Sequence, residues 1–115
     1  MSGPASQCVP WLAEQHCRNL PVGSPAMTPG EISEMLTALA GWKYDGNAIG
    51  KNFEFADYEK TMSFANAVAA IAQREDHHPE LTVSYSRCEV TYRTHSIGGI
   101  SINDFICAAK IEALP

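Results

Sequence analysis

Residues 79–95, Pro-Glu-Leu-Thr-Val-Ser-Tyr-Ser-Arg-Cys-Glu-Val-Thr-Tyr-Arg-Thr-His, carry the alternation that decides the fold. On either side of Ser86-Arg87, every second residue points to one face: Leu81, Val83 and Tyr85 before it, then Cys88, Val90, Tyr92 and Thr94 after it. A period of two is typical of strands with one buried face. The segment therefore predicts two antiparallel strands joined by a tight turn, with His95 at the end of the second and on its opposite face.

Upstream of this hairpin, a helix and a first pair of strands are indicated. Thr28-Pro29-Gly30-Glu31 supplies a capping residue, a proline at the first helical position and a capping-box carboxylate, which predict a helix that stops at Gly41. From Trp42 the pattern alternates, and Asp45-Gly46-Asn47 is typical of a hairpin turn leading into a return strand that ends at Phe55. These strands supply the other half of the sheet.

Two more helices lie on either side of the central hairpin. Asp57 caps a second helix that runs to about Arg74. Its predicted apolar stripe comprises Tyr58, Met62, Ala65, Val68, Ala69 and Ala72. Ser101, with Asp104 three positions later, starts a last helix. The order of the elements predicts an α+β domain, a four-stranded antiparallel sheet with three helices packed on one face.

Length and composition favour a single domain. Of the 115 residues, 45% are hydrophobic, which is enough for one core, and residues 27–115 contain all the predicted elements. Residues 1–26 are rich in proline and glycine and show no sustained apolar period. They predict an extension with little fixed structure, although Trp11-Leu12-Ala13 could dock locally.

Charge and hydropathy exclude several classes of protein. The net charge of −5, with both signs interspersed, argues against a general nucleic-acid binder. No apolar run is long enough to span a membrane, and the start lacks a secretory signature, so we expect a cytoplasmic protein. The cysteines, Cys8, Cys17, Cys88 and Cys107, have no regular spacing and predict neither a disulfide framework nor a structural zinc site.

Three of the four histidines are the candidate chemical groups. His77 and His78 lie at the end of the second helix, where Pro79 stops it, and His95 follows the fourth strand. A two-layer fold can bring the three rings around a small concavity. One neutral and one protonated imidazole can together remove and deliver protons, as the elimination of water requires.

Other interpretations of the same residues are less favoured. Adjacent side chains on a helix point about 100° apart, so His77 and His78 are poorly placed to bind one metal ion. Cys8, His16 and Cys17 lack a fourth ligand. No serine or cysteine lies beside a paired base, which disfavours covalent catalysis.

The site residues carry a family resemblance. Asp76-His77-His78-Pro79-Glu80, Tyr85, Thr94-His95, Gly98-Gly99 and Asp104 resemble the signature of the pterin-4a-carbinolamine dehydratases. The similarity covers roughly residues 31–114. It implies a lyase that dehydrates 4a-hydroxytetrahydrobiopterin to quinonoid dihydrobiopterin and so recycles the cofactor of aromatic amino acid hydroxylases. The pterin is then the substrate, with no further cofactor or metal.

The resemblance also implies roles for single residues. His77 and His95 correspond to the acid–base pair, and His78 to a residue that positions the substrate. We place these three histidines at the catalytic centre. The predicted substrate-binding residues are Gln73, Asp76, Pro79, Thr94 and Asp104. Asp76 and Asp104 also have capping as an alternative role.

Gln73 departs from the family pattern, which usually has an ionisable residue four positions before the first histidine. An amide can hydrogen-bond a pterin but cannot supply a charge-assisted pair. A pterin-binding relative with reduced activity therefore stays open as an alternative. So does a protein-binding transcriptional coregulator, a role that some relatives have.

Self-association is a further expectation. The predicted strands carry Phe53, Phe55, Tyr85 and Tyr92, more large apolar surface than one helical layer is expected to cover. The resemblance likewise implies a homo-oligomer, either a dimer or a tetramer.

Overall fold

A four-stranded antiparallel sheet forms the centre of the computed structural model, which describes residues 11–115. The strands are β1 Lys43–Tyr44, β2 Ile49–Glu54, β3 Glu80–Val83 and β4 Arg87–Tyr92. Their order across the sheet is β1-β2-β4-β3, which places β4 between two partners. Ile49 of β2 pairs with Tyr92, and Val83 of β3 pairs with Cys88. The predicted fold class is confirmed.

The alternation read from β4 sets the buried face of the sheet. Cys88, Val90 and Tyr92 are fully buried, whereas Glu89 between them is exposed. Thr94 continues the inward series beyond the strand and forms an isolated bridge with Gly99. The outward position of His95 follows from the same period of two.

The first helix, α1 Pro29–Leu36, begins as its capping residues predict. The Thr28 hydroxyl accepts from the Glu31 backbone N–H, and the Glu31 carboxylate accepts from the Thr28 N–H. The helix ends at Leu36, and turns then carry the chain to Gly41, whose φ is +86°. Only glycine adopts this backbone conformation without strain.

The second helix, α2 Tyr58–Glu75, is capped by Asp57 as predicted, but its buried face is rotated from the predicted stripe. Its buried residues are Thr61, Ala65, Val68, Ile71 and Ala72. Tyr58 and Ala69 are exposed. The two sets share Ala65, Val68 and Ala72. The buried Thr61 hydroxyl lies within hydrogen-bond distance of two backbone carbonyls, at 2.8 and 3.0 Å.

The last helix, α3 Ile102–Glu112, is the most buried of the elements. Ser101 caps it, and the Asp104 carboxylate accepts from the Ser101 backbone N–H, which completes the predicted capping box. Every side chain from Asn103 to Ala109 is buried. Polar groups in this helix are therefore removed from water, and their partners must come from the protein.

The predicted N-terminal extension is described in part. Residues 1–10 lie outside the described residues. Residues 11–22, which we call the N-terminal strap, include a helical turn at 11–14 and contact α2 and α3. Leu12, in the segment expected to dock locally, is 0% exposed and belongs to the core. The polar contacts of the strap with residues distant in sequence had no signal in its composition.

The four aromatic residues taken as surplus surface are mostly inside the domain. Tyr92 is fully buried, and Phe53 and Phe55 both pack on Phe64 of α2 with ring centroids 4.5 and 5.0 Å apart. Only Tyr85, in the turn between β3 and β4, is largely exposed. Of the four, Tyr85 is therefore the residue that leaves a large apolar surface uncovered in the described chain.

Across residues 11–115, no helix combines the length and the apolar character that crossing a membrane requires.

Candidate active site

His77 is carried by the turn that ends α2. Asp76 has a φ of 50°, in the left-handed region, and the backbone N–H groups of Asp76 and His77 both donate to the Ala72 carbonyl. This closes the helix end, and Pro79 prevents its continuation. The turn directs the His77 ring onto Tyr92, with ring centroids 5.2 Å apart and planes 18° apart. The Tyr92 hydroxyl also donates to the His77 carbonyl at 3.2 Å.

A buried carboxylate fixes the His77 ring. Nε2 of His77 lies 2.6 Å from Oδ1 of Asp104, and Oδ2 of Asp104 accepts from the Thr94 hydroxyl and from the Ser101 backbone N–H, each at 2.9 Å. Asp104 is 0% exposed. The sequence placed Asp104 among the substrate-binding residues, whereas both its oxygens are engaged by protein groups. It therefore orients His77 and does not face a ligand.

The same contact determines the protonation of His77. Burial disfavours the charged ring and lowers its pKa, but the hydrogen bond and the negative charge of Asp104 outweigh burial. The pKa of His77 is consequently raised above its ordinary value of about 6.5. Nδ1 of the ring has no hydrogen-bond partner among residues 11–115. The contact with Asp104 therefore favours the protonated ring and leaves Nδ1 available to a ligand.

An open cleft of about 680 Å³ lies beside His77. One wall consists of Asp76, His77, Thr94 and Ser96, and residues 18–22 of the N-terminal strap form another. The volume lies within the range of about 300–1,000 Å³ that is usual for small-molecule sites. A flat bicyclic ligand can therefore fit beside the imidazole.

His78 and His95 lie next to a different and much smaller depression. Both side chains are exposed, and Tyr92 lines this depression with them. His95 begins a short 3₁₀ turn, His95–Ile97, and its two neighbours Thr94 and Ser96 line the cleft of His77. The expected convergence of three rings is thus met only in part. The inward-outward alternation turns Thr94 toward His77 and His95 away from it.

The remaining predicted site residues differ in their positions. Asp76 is exposed and lines the cleft, and Thr94 lines it while its hydroxyl bonds Asp104. Pro79 is half-buried, and its role is to end α2. Gln73 is exposed on the last turn of α2 and lines neither the cleft nor the depression. The structure therefore does not bring Gln73 to the site.

The sequence did not indicate two contributors to this site. The alternation placed Tyr92 on the inward face of a strand, but it did not indicate that Tyr92 stacks on His77. The wall formed by residues 18–22 had no signal beyond the short apolar stretch that precedes it.

Among residues 11–115, no three histidine, cysteine, aspartate or glutamate side chains are grouped so that they could bind a metal ion. Cys8 lies outside the described residues. His16 bonds the Glu75 carboxylate at 2.9 Å, and the Cys17 sulfur lies 3.5 Å from the Cys107 sulfur. His16 and Cys17 therefore contact different protein side chains and do not share a site.

A small α+β domain that holds a histidine against a buried carboxylate, beside an open cleft, has the groups that acid–base chemistry on a small molecule requires. Residues 25–114 match the family model described as pterin 4 alpha carbinolamine dehydratase. The chain belongs to this family, and the resemblance read from its histidine motif is confirmed.

Relatives and a solved structure agree with this assignment. A protein of Nitrosospira multiformis, provisionally named pterin-4-alpha-carbinolamine dehydratase, is 50% identical over 103 residues, which cover 90% of this chain and 91% of that one. A protein of Bdellovibrio bacteriovorus with the same provisional name is 57% identical over 93 residues, covering 77% of this chain and 78% of that one. A crystal structure of a transcriptional coactivator/pterin dehydratase from Brucella melitensis has a TM-score of 0.73 and 38% identity, and covers 77% of this chain and 97% of that one.

Proposed function

We propose that the protein is a hydro-lyase that dehydrates 4a-hydroxytetrahydrobiopterin to quinonoid dihydrobiopterin in the cytoplasm. The product is the form that a reductase returns to the tetrahydro cofactor, so the reaction would serve an aromatic amino acid hydroxylase. The observation that carries the proposal is the 2.6 Å contact between His77 and the buried Asp104, in a chain of the dehydratase family and beside an open cleft.

The chemistry is an elimination that balances with two proton transfers. The C4a–O bond breaks as an acid protonates the leaving hydroxyl, the N5–H proton passes to a base, and the electron pair of that bond forms the N5=C4a double bond. Water and the quinonoid dihydropterin are the products. No electrons are exchanged with another molecule, so the pterin is a substrate and the proposal requires no cofactor or metal.

His77 is assigned the role of acid. Asp104 raises its pKa, so a larger fraction of the rings carries a proton near neutral pH than for an ordinary histidine. Because Asp104 holds Nε2, the proton on the opposite ring nitrogen, Nδ1, is the one that a ligand can receive. A positioned acid of this kind contributes about 10²- to 10⁴-fold to a rate.

His95 is assigned the role of base, and His78 helps to position the substrate. Support for His95 comes from the sequence motif and from its neighbours Thr94 and Ser96, which line the cleft. Its ring is exposed in the free chain, so it has the rotational freedom to turn toward a bound pterin. Asp76, at the cleft wall, can accept from the amino group of the pterin.

A direct assay of carbinolamine dehydration with the purified protein tests the proposal. His77→Ala and His95→Ala should each lower kcat by about 10²-fold or more, because each removes one proton transfer. Asn66→Ala, on the exposed face of α2, serves as a control and should retain full activity. A wild-type protein that does not exceed the uncatalysed rate would overturn the proposed function.

A second candidate function is a protein-binding coregulator, which the description of the Brucella melitensis structure as a coactivator favours. This role needs an accessible helical surface but not the imidazole of His95. His95→Ala therefore separates the two functions, because the dehydratase would lose activity while partner binding would survive.

A further inference from the structure

The N-terminal strap is anchored to the same elements that carry the catalytic histidine. The backbone N–H of Cys17 donates to Glu75 Oε1 at 2.7 Å, and Glu75 lies two residues before His77. The side chain of Asn103, next to Asp104, donates to the Arg18 carbonyl and accepts from the Arg18 N–H, both at 2.8 Å. These contacts tie the position of the strap to the positions of His77 and Asp104.

Burial makes these anchors strong. The Glu75 side chain is only 5% exposed, and Lys110 lies 3.7 Å from its carboxylate. Asn103 is 5% exposed, and both the oxygen and the nitrogen of its amide bond the Arg18 backbone. Breaking either anchor would leave a buried polar group unsatisfied, which opposes detachment of the strap.

Beyond these anchors the chain forms a wall of the cleft. Residues 18–22 line it together with Asp76 and His77. The family model begins at residue 25, so it does not cover these five residues.

Arg18 is the cationic side chain of that wall. Its backbone is held at both its N–H and its carbonyl, whereas its side chain is exposed and forms no salt bridge within the described part of the chain. A guanidinium offers five N–H donors in a plane, and it can donate to ring carbonyls or stack on a flat heterocycle. Asp76 lines the same cleft and supplies an acceptor.

We propose that the strap is a wall of the substrate site and that Arg18 is a specificity-determining residue that contacts the pterin ring. The inference rests on the proposed function for the identity of the ligand. Arg18 donates to the acceptor atoms of the pyrimidine edge, and Asp76 accepts from its amino group. Arg18 thus supplies a charged group in the cleft lining, where Gln73 is absent.

Arg18→Gln tests the inference, with Arg74→Gln as a matched control. Arg74 is an exposed arginine on the last turn of α2 that does not line the cleft. Loss of a charged hydrogen bond should raise KM by about tenfold in Arg18→Gln and leave kcat within about twofold, because the contact binds substrate without moving a proton. Arg74→Gln should match the wild type in both constants.

Binding of 7,8-dihydrobiopterin, which has no 4a-hydroxyl and is not dehydrated, separates this inference from the proposed function. The Kd should rise by about tenfold in Arg18→Gln, and hydrogen exchange at the amides of residues 17–22 should slow in the wild type when the ligand is added. A protein that shows both effects but no dehydration would refute the function and keep the inference. Equal Kd values for Arg18→Gln and the wild type, or no binding to either, would overturn it.

Discussion

At the scale of single residues, the protonation of one imidazole is the feature on which the proposed chemistry depends. Asp104 is buried and holds Nε2 of His77, while Thr94 and Ser101 satisfy its other oxygen. An unpaired buried carboxylate would be costly, so this pair is mutually required. The arrangement keeps a proton on His77 at a pH where an ordinary histidine has begun to lose it.

Asp104→Asn tests whether the negative charge of Asp104 is required, because asparagine has nearly the same shape but no charge. The amide can keep a hydrogen bond to His77 but removes the negative charge, so the pKa of His77 should fall. Because His77 is needed in its protonated form, the alkaline limb of the pH–rate profile should move to lower pH, and kcat at about pH 7 should fall by tenfold or more.

The measurement is the pH–rate profile of Asp104→Asn beside those of the wild type and of Glu34→Gln. Glu34 is an exposed carboxylate on α1, so its removal controls for a change in net charge. An unchanged alkaline limb in Asp104→Asn would contradict the assigned role. So would a wild-type profile that stays flat between about pH 5 and pH 9.

At the scale of elements, the C-terminus of α2 does most to position the site. Asp76 adopts a φ of 50°, which lets the chain leave the helix and present His77 to Tyr92. Aspartate tolerates this region better than most residues, and glycine is better still.

Substitutions at Asp76 should therefore differ in their effect on stability. Asp76→Val should lower the free energy of unfolding by about 1–2 kcal/mol, because a β-branched side chain is strained at positive φ. Asp76→Gly should be neutral or slightly stabilising, and it serves as the control for loss of the carboxylate. Urea unfolding of the two variants measures the difference, and equal stability would show that the turn is not under this constraint.

At the scale of the whole molecule, self-association remains a prediction. Fewer residues support it than the sequence suggested, because Tyr85 is the one of the four aromatic residues that is largely exposed. β3 is an edge strand of the sheet, and Tyr85 in the adjoining turn is 67% exposed. An open edge beside an exposed aromatic ring is a surface on which a second copy can pair.

Tyr85→Ser should weaken a homo-oligomer formed at this edge. Light scattering coupled to gel filtration should then show a dimer or tetramer for the wild type and a smaller species for the variant at micromolar concentration. Tyr58→Ser, which changes an exposed tyrosine on α2, is the matched control and should not alter the mass. A monomeric wild type would refute self-association.

The features that the sequence predicted are those that depend on residues close together in the chain. The caps at Thr28, Asp57 and Ser101 and the alternation of β4 involve residues within a few positions of one another, and all are confirmed. The strap depends instead on partners 58 and 85 positions away. No local pattern contains such contacts, so composition alone suggested an unstructured extension.

In the candidate site, too, the features set by neighbouring residues were predicted, and those set by contacts between distant residues were not. The motif singled out His77, which lines the cleft, but it did not show that Asp104 bonds the His77 ring or that Gln73 lies outside the cleft lining. Both facts depend on how α3 packs against the end of α2. The family signature fixes residue types at set spacings, whereas their roles depend on burial and on hydrogen-bond partners.

The most direct measurement is the rate of carbinolamine dehydration by His77→Ala relative to the wild type near neutral pH. If a protonated His77 delivers the proton that lets water leave, turnover should fall by about 10²- to 10⁴-fold while the variant still binds 7,8-dihydrobiopterin. Turnover within about twofold of the wild type would contradict the account.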